Sequence, residues 1–357
     1  MLTIEEQIEE IEAVLRKTPH HKATNGFIGA MRAKIARLRD REIESGGKGG
    51  GGGGYNVKKQ GDATVVLVGP PSAGKSTLIN QLTNAESKVA PYAFTTVTVV
   101  PGMLKYKEAY IQILDIPGLI EGANEGKGKG REVLSVARGA DLLIVMTDVD
   151  RVNLFAKMVA ELEGAGIRIN QEKPKVFIEK KSEGGLEIFS NLEQSIDKET
   201  IKDIAREYGI KNGNITLKEK VSYNRLFDAF SDNRVYVPTI FVINKVDMEP
   251  NYKDMINGEF TAISADRGEG IDGLIENIWK TLKFVTIYLV KPDEELERGS
   301  PIVMKGGESL KDVALKIGHD FAESKKLVKI WGPGAKFPGQ EVSFDTRVIE
   351  GMKIRFL

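Results

Sequence analysis

Residues 64–82 read as a short apolar run, a glycine-bounded turn and a helix, and no other stretch constrains the fold as tightly. Thr64, Val65, Val66, Leu67 and Val68 make the run of a buried strand, and a helical pattern occupies 75–82. Between them Gly69-Pro70-Pro71-Ser72-Ala73-Gly74-Lys75-Ser76 fits G-x-x-x-x-G-K-[ST]. Strand before and helix after are the context that gives this motif its meaning. The glycines let backbone N–H groups turn inward, and the helix adds the positive end of its dipole, so the turn is built for an anion. Lys75 is expected to reach the β- and γ-phosphates of a nucleotide and the Ser76 hydroxyl to bind Mg2+. Pro71, Ser72, Ala73 and Thr77 complete the cradle. The competing reading is an ordinary glycine-rich turn.

Further apolar runs at 110–114, 142–146 and 239–243, with helical patterns between some of them, predict a doubly wound, mainly parallel α/β sheet, the G domain of a P-loop NTPase. Asp115-Ile116-Pro117-Gly118 follows one of these runs, so the Asp115 carboxylate emerges at a strand end, able to hold the Mg2+ shell through water. Gly118 would offer its N–H to the γ-phosphate. D-x-x-G is weak alone; its place downstream of residues 69–76 gives it weight. Between the two lies Tyr92-Ala93-Phe94-Thr95-Thr96, where Thr96, with Thr95 close behind, is expected to cap the metal when a γ-phosphate is present. A threonine pair on a strand edge is the plain alternative. Lys75, Thr96 and Gly118 form the expected catalytic group, and Ser76, Thr96 and Asp115 the expected metal ligands.

Asn244-Lys245-Val246-Asp247 follows the run at 239–243, which places it on the same sheet rim. A carboxylate there accepts two parallel hydrogen bonds from guanine N1–H and its exocyclic amine. Adenine offers no such donor pair and would leave Asp247 unpaired, so GTP is expected over ATP. Asn244 would brace the loop, the Lys245 stem would cover the ring, and Ser264-Ala265 would supply a backbone N–H to guanine O6.

The chain has 357 residues, too many for one small core, and several domains are expected. Residues 1–45 carry two amphipathic helical stripes, the first acidic (Glu5, Glu6, Glu9, Glu10, Glu12) and the second basic (Arg32, Lys34, Arg37, Arg39, Arg41). These predict a helical hairpin whose charge patterns pair, with an RNA contact on the basic helix as the alternative. Residues 46–60 are a glycine-rich linker. The G domain is expected over 61–167 and 238–283, an α+β insertion over 168–237 and a compact β-rich unit over 284–357. In the last, Lys325, Lys326 and Lys329 beside Trp331 could stack on an exposed base, although such a tryptophan more often packs a core.

Composition closes other routes. Cysteine is absent and the three histidines, His20, His21 and His319, show no ligand spacing, so neither disulfides nor zinc is expected. Formal net charge is zero, which leaves nucleic-acid contacts to local patches. With no membrane-length apolar run and no secretory pattern at the start, the expected location is cytoplasmic, with neither membrane nor DNA as a partner.

Together these segments resemble the Obg class of GTPases, most closely its DRG subfamily, the developmentally regulated GTP-binding proteins. The marks are Ala90-Pro91-Tyr92-Ala93-Phe94-Thr95-Thr96, Asp115-Ile116-Pro117-Gly118-Leu119-Ile120-Glu121-Gly122-Ala123, and Gly126-Lys127-Gly128-Lys129-Gly130-Arg131. The resemblance covers nearly the whole chain. It implies a C-terminal TGS domain of the β-grasp type, binding of GTP and GDP, association with ribosomes or RNA, and a regulatory partner protein. Leu119 stands where Ras-type enzymes carry a water-orienting glutamine, so intrinsic hydrolysis is expected to be slow. Relatives are often stimulated by K+; the usual cation-binding asparagine of the phosphate loop is here Ser72, which places that dependence in question. The 126–131 segment is either a backbone that orders with GTP or a plain solvated loop. Two functions follow: a slow GTPase switch in translation, or a GTP-gated RNA-binding or assembly protein whose turnover is incidental. An ATP-dependent enzyme is a third.

Overall fold

The computed structural model describes residues 2–19, 21, 24–45, 60–83, 100–116, 129–249, 251–252, 258–291 and 295–357. Thr95, Thr96, Gly118, Leu119, the 46–59 part of the linker and residues 126–128 lie outside the described residues. The chain divides into two units, Met1–Tyr55 with Val159–Val237 and Asn56–Met158 with Pro238–Leu357.

In the second unit six strands form one sheet. They are β1 (Ala63–Val68), β2 (Val100–Tyr106), β3 (Ala109–Asp115), β4 (Leu142–Asp148), β10 (Thr239–Asn244) and β11 (Thr261–Ala262), in the order β11-β10-β4-β1-β3-β2. Neighbours run parallel except β2 and β3. β1 and β4 are buried along their whole length, which is why their sequences are continuous apolar runs rather than alternations. Helix Lys75–Thr83 buries Leu78, Ile79 and Leu82 against this sheet, and helix Ile271–Thr281 adds Leu274, Ile278 and Trp279 to the same cluster. β1 pairs with β3 on one side and β4 on the other, so strand order reverses at β1 and opens a crevice at the carboxyl ends of the strands.

The same unit continues into β12 (Phe284–Leu289), β13 (Ser300–Lys305), β14 (Val328–Trp331), β15 (Gln340–Val342) and β16 (Lys353–Phe356), a mixed sheet in the order β13-β12-β16-β14-β15. β12 and β16 are parallel and the outer pairings antiparallel. Helix Leu310–Ile317, started by a Ser309/Asp312 capping box, lays Leu310, Val313 and Ala314 on one face against Ile287, Val328, Ile330 and Ile354. Phe284 and Val303 belong to the G-sheet core, and Lys305 reaches Asp141 at 2.7 Å.

In the first unit β5 (Ile167–Ile169) runs parallel to β9 (Val235–Val237), and β6 (Val176–Lys180), β7 (Leu186–Ser190) and β8 (Gly213–Leu217) form a sheet in the order β6-β8-β7. Helices Lys198–Glu207 and Tyr223–Phe230 cover that sheet, and helix Asn25–Ser45 joins them, its Ala33 fully buried beside Ile201, Ile204 and Leu226. The second helix thus has a seat beyond the hairpin itself. Helix Ile4–Lys17 packs on Ile35 and Leu38, and Arg39 pairs with Glu12 between the two helices at 3.7 Å, largely exposed. Such a pair contributes at most about 1 kcal/mol, less than the burial of an apolar face. The basic helix is held by the insertion as well as by its apolar contact with the first helix. Among the described residues no helix is long and apolar enough to cross a membrane.

Candidate nucleotide-binding site

At the reversal of strand order the chain turns from β1 into residues 69–74. Gly69 O and Pro70 O accept from Lys75 Nζ at 3.1 and 3.0 Å, Pro71 O accepts from Arg151 Nη1 at 3.0 Å, and Ala73 O accepts from Asn244 Nδ2 at 2.8 Å. A peptide plane is rigid and trans, so a carbonyl held to one side sends the following N–H to the other. The Ser72 and Gly74 N–H groups are thereby directed away from these anchors. Helix Lys75–Thr83 adds its first-turn N–H groups, since Leu78 is the residue whose N–H finds Gly74 O, at 2.9 Å. Ser72 (φ 57°) and Gly74 (φ 93°) are both left-handed, and a Cβ built on Gly74 would lie 2.2 Å from Asn244 Nδ2. Pro71, Ser72, Ser76 and Thr77 are exposed and Lys75 and Ala73 buried, so the turn presents polar groups around a supported interior.

Asp115 closes β3 opposite Leu67 of β1. Ser76 Oγ donates to its Oδ2 at 3.0 Å, while Oδ1 is buried with no hydrogen-bond partner among the described residues. Burial raises the Asp115 carboxyl above its ordinary value, only partly offset by the Lys75 charge and the Ser76 hydrogen bond. A buried anionic oxygen without a donor, beside a hydroxyl, suits a hard cation with oxygen ligands.

Asn244 ends β10 and is buried. Besides holding Ala73 O, its Oδ1 accepts from Ala265 N–H at 2.9 Å, so one amide fastens two loops. Ser264 N–H donates to Glu269 O at 3.0 Å, so a base oxygen reaching this segment would share Ala265 N–H with Asn244. Lys245 is left-handed (φ 61°) and its Nζ lies 3.4 Å from Asp148 Oδ2. Asp247 follows in a short 3-10 turn, its Oδ2 3.2 Å from Arg267 Nε. The structure thus brings residues 69–77, Asp115, residues 244–247 and residues 264–265 to one rim; Thr96 and Gly118 fall outside the described residues.

Three residues at this rim escaped the sequence reading: Asp148, Arg151 and Arg267. Asp148 had a signal, an acid at the end of the apolar run 142–146 like Asp115 at the end of its own. Arg151 and Arg267 had none, because nothing in their spacing marks them.

A mainly parallel sheet with this turn at its switch point, an acid-bearing strand end and an N-K-x-D loop defines a P-loop GTPase. A family model described as "50S ribosome-binding GTPase" matches residues 64–181, and that of the domain's C-terminal region matches 183–284. An uncharacterized GTP-binding protein of Methanocaldococcus jannaschii is 42% identical over 360 residues, covering 98% of this chain and 92% of that protein. Developmentally-regulated GTP-binding protein 1 of Xenopus laevis is 40% identical over 348 residues, covering 95% of each. The chain belongs to the developmentally regulated GTP-binding (DRG) family. Among solved structures, the Schizosaccharomyces pombe YchF GTPase aligns over 84% of this chain and 99% of its own at 13% identity, with a TM-score of 0.46.

Proposed function

We propose that this protein binds GTP and GDP with Mg2+, hydrolyses GTP slowly, and acts as a nucleotide switch in translation or another ribosome-associated step. The observation that carries the reading is Asn244, whose single amide holds both the phosphate loop and the 264–265 loop and so joins phosphate and base recognition in one frame. Ser76 and Asp115 are the residues that would hold Mg2+, with Thr96 joining them in the GTP state; bound there, the ion would neutralise charge on the β- and γ-phosphates. Lys75 holds the phosphate charge, Asp247 reads guanine, and Gly118 meets the γ-phosphate. Leu119 cannot orient water, which makes turnover slow and open to stimulation by a cation near Ser72 or by a partner.

A second reading, a GTP-gated RNA-binding or assembly protein, is favoured by the open face of the C-terminal sheet, which we read as a TGS domain. Tyr288, Lys353 and Trp331 share one row across β12, β16 and β14, with Arg355 5.4 Å over the Trp331 ring and Lys329 beside it. Aromatic rings among cations suit exposed bases.

Calorimetry with GTP, GDP and ATP at matched Mg2+ tests the site: micromolar or tighter heat with guanine nucleotides is expected, and preference for ATP overturns it. Phosphate release measured in K+ and in Na+ tests turnover. Ribosome co-sedimentation with GTP, a non-hydrolysable analogue and GDP tests the switch, since equal retention in all three states would remove it.

A further inference from the structure

Of the four carbonyls held around the phosphate loop, those of Gly69, Pro70 and Ala73 are held by Lys75 and Asn244, residues of the recognised motifs. The fourth, Pro71 O, is held by Arg151, which belongs to neither motif. Pro70 and Pro71 have no N–H, so the tip of the loop cannot fasten itself by donating from its own backbone at those positions. The orientation of the Pro71–Ser72 peptide, and with it the direction of the Ser72 N–H, therefore depends on what grips Pro71 O.

Arg151 is itself rigidly placed. Asp148, at the end of β4 and 5% exposed, accepts from Arg151 Nε at 3.0 and 3.2 Å and from Nη2 at 2.6 Å. This is a forked, charge-assisted contact, which a lysine could not reproduce while also reaching Pro71. The same Asp148 Oδ2 lies 3.4 Å from Lys245 Nζ, in the N-K-x-D loop. Burial alone would raise the Asp148 carboxyl, but the hydrogen bonds and charges of Arg151 and then Lys245 outweigh it and hold it below the ordinary carboxylate range. One buried anion thus stands between the tip of the phosphate loop and the base loop, a second connection beside that of Asn244.

We infer that Arg151, anchored by Asp148, is a positioning residue of the nucleotide site: it fixes the Pro71–Ser72 peptide so that the loop meets the nucleotide preorganised. The inference rests on the nucleotide reading above. A preorganised loop loses less freedom when the phosphates bind, so the effect falls on how long they are held rather than on which base is chosen.

The 357-residue chain, freed of nucleotide, is loaded with a fluorescent GDP analogue and chased with unlabelled GDP. Arg151→Ala is expected to release the analogue roughly five- to tenfold faster, the size of one partly exposed charge-assisted hydrogen bond. The ratio of GDP to inosine diphosphate affinity, which reports the guanine amine, should stay at its wild-type value. Arg151→Lys should recover less than half of the loss. Asp148→Asn should speed release at least as much, since it loosens both Arg151 and Lys245, and adding Arg151→Ala to it should change little further, because Arg151 acts through that carboxylate. Wild-type release from Arg151→Ala overturns the inference, as does a changed GDP-to-inosine-diphosphate ratio, which would place the effect at the base. If Arg151→Ala does not fold, Arg151→Gln, which keeps part of the stem and loses the charged fork, is read in the same assay. Failure of the wild-type chain to bind GDP at all would instead strike the nucleotide reading.

Discussion

Gly74 and Asn244 are shaped to one another: a methyl group on the first would sit 2.2 Å from Nδ2 of the second. The contact that fastens the base loop to Ala73 O is possible only because position 74 has no side chain. Gly74→Ala is therefore expected to displace the Asn244 amide and to force a left-handed φ of 93° on an alanine. The backbone strain alone costs about 1–3 kcal/mol. GDP affinity should fall by more than tenfold in calorimetry, with a lower melting temperature. Shortening Asn244 to alanine in the same chain should relieve the clash without restoring binding, since the brace goes with it.

Asp115 presents the opposite trade between stability and function. Its pKa is raised, chiefly by burial, so the ionised form is disfavoured in the nucleotide-free fold. A raised folded-state pKa contributes stability at low pH that is lost as pH rises through it. Asp115→Asn should thus stabilise the nucleotide-free protein at pH 7, and the advantage should vanish as pH falls through the carboxylate range and the wild-type side chain protonates. The same substitution should remove most of the Mg2+ dependence of GDP binding. Urea denaturation across pH, paired with Mg2+ titrations, checks both; a less stable Asp115→Asn protein at neutral pH would contradict the assignment of Oδ1 as an unsatisfied anion.

Arg267 competes for the carboxylate that should read guanine. Its Nε lies 3.2 Å from Asp247 Oδ2, and the arginine is mostly exposed, so the pair is worth about 0.2–1 kcal/mol. Arg267→Ala should free Asp247 and tighten GDP binding by up to about fivefold, more at low salt than at high. Weaker binding in this variant would mean that Arg267 supports the base loop rather than competing for it.

What the chain declared in advance and what it withheld separate along physical lines. The phosphate loop, Asp115 and the N-K-x-D loop were legible because each is contiguous and follows a strand, so local pattern and site geometry coincide. The parallel sheet was legible because buried strands leave unbroken apolar runs such as 142–146. Arg151 was not, because its role is fixed by a carbonyl 80 positions away. Nor was the seating of helix Asn25–Ser45, whose basic stripe pointed to its neighbour in sequence, whereas its small face fits Ile201 and Ile204. Charge pattern describes the side of a helix that faces water, and only packing reveals what the other side meets.

That seating carries the last prediction. Asp228 accepts from Arg168 Nε and Nη2, both at 2.7 Å, and from Arg234 Nε at 2.8 Å. Arg234 continues to Asp40 of helix Asn25–Ser45 at 2.6 Å, and Ser231 Oγ donates to the other Asp40 oxygen at 2.8 Å. Asp40, Asp228 and Arg234 are nearly inaccessible, so removing one partner strands a buried charge. Asp228 serves two arginines, whereas loss of Asp40 still leaves Arg234 beside Asp228. Asp228→Ala should accordingly cost about 3–5 kcal/mol and Asp40→Ala less, near the lower end of that range or below it. Stability measured by urea denaturation of the two variants checks the order: if Asp40→Ala proves the more damaging, the anchor of the helix lies in the Ser231 and Asp40 contact rather than in the shared carboxylate.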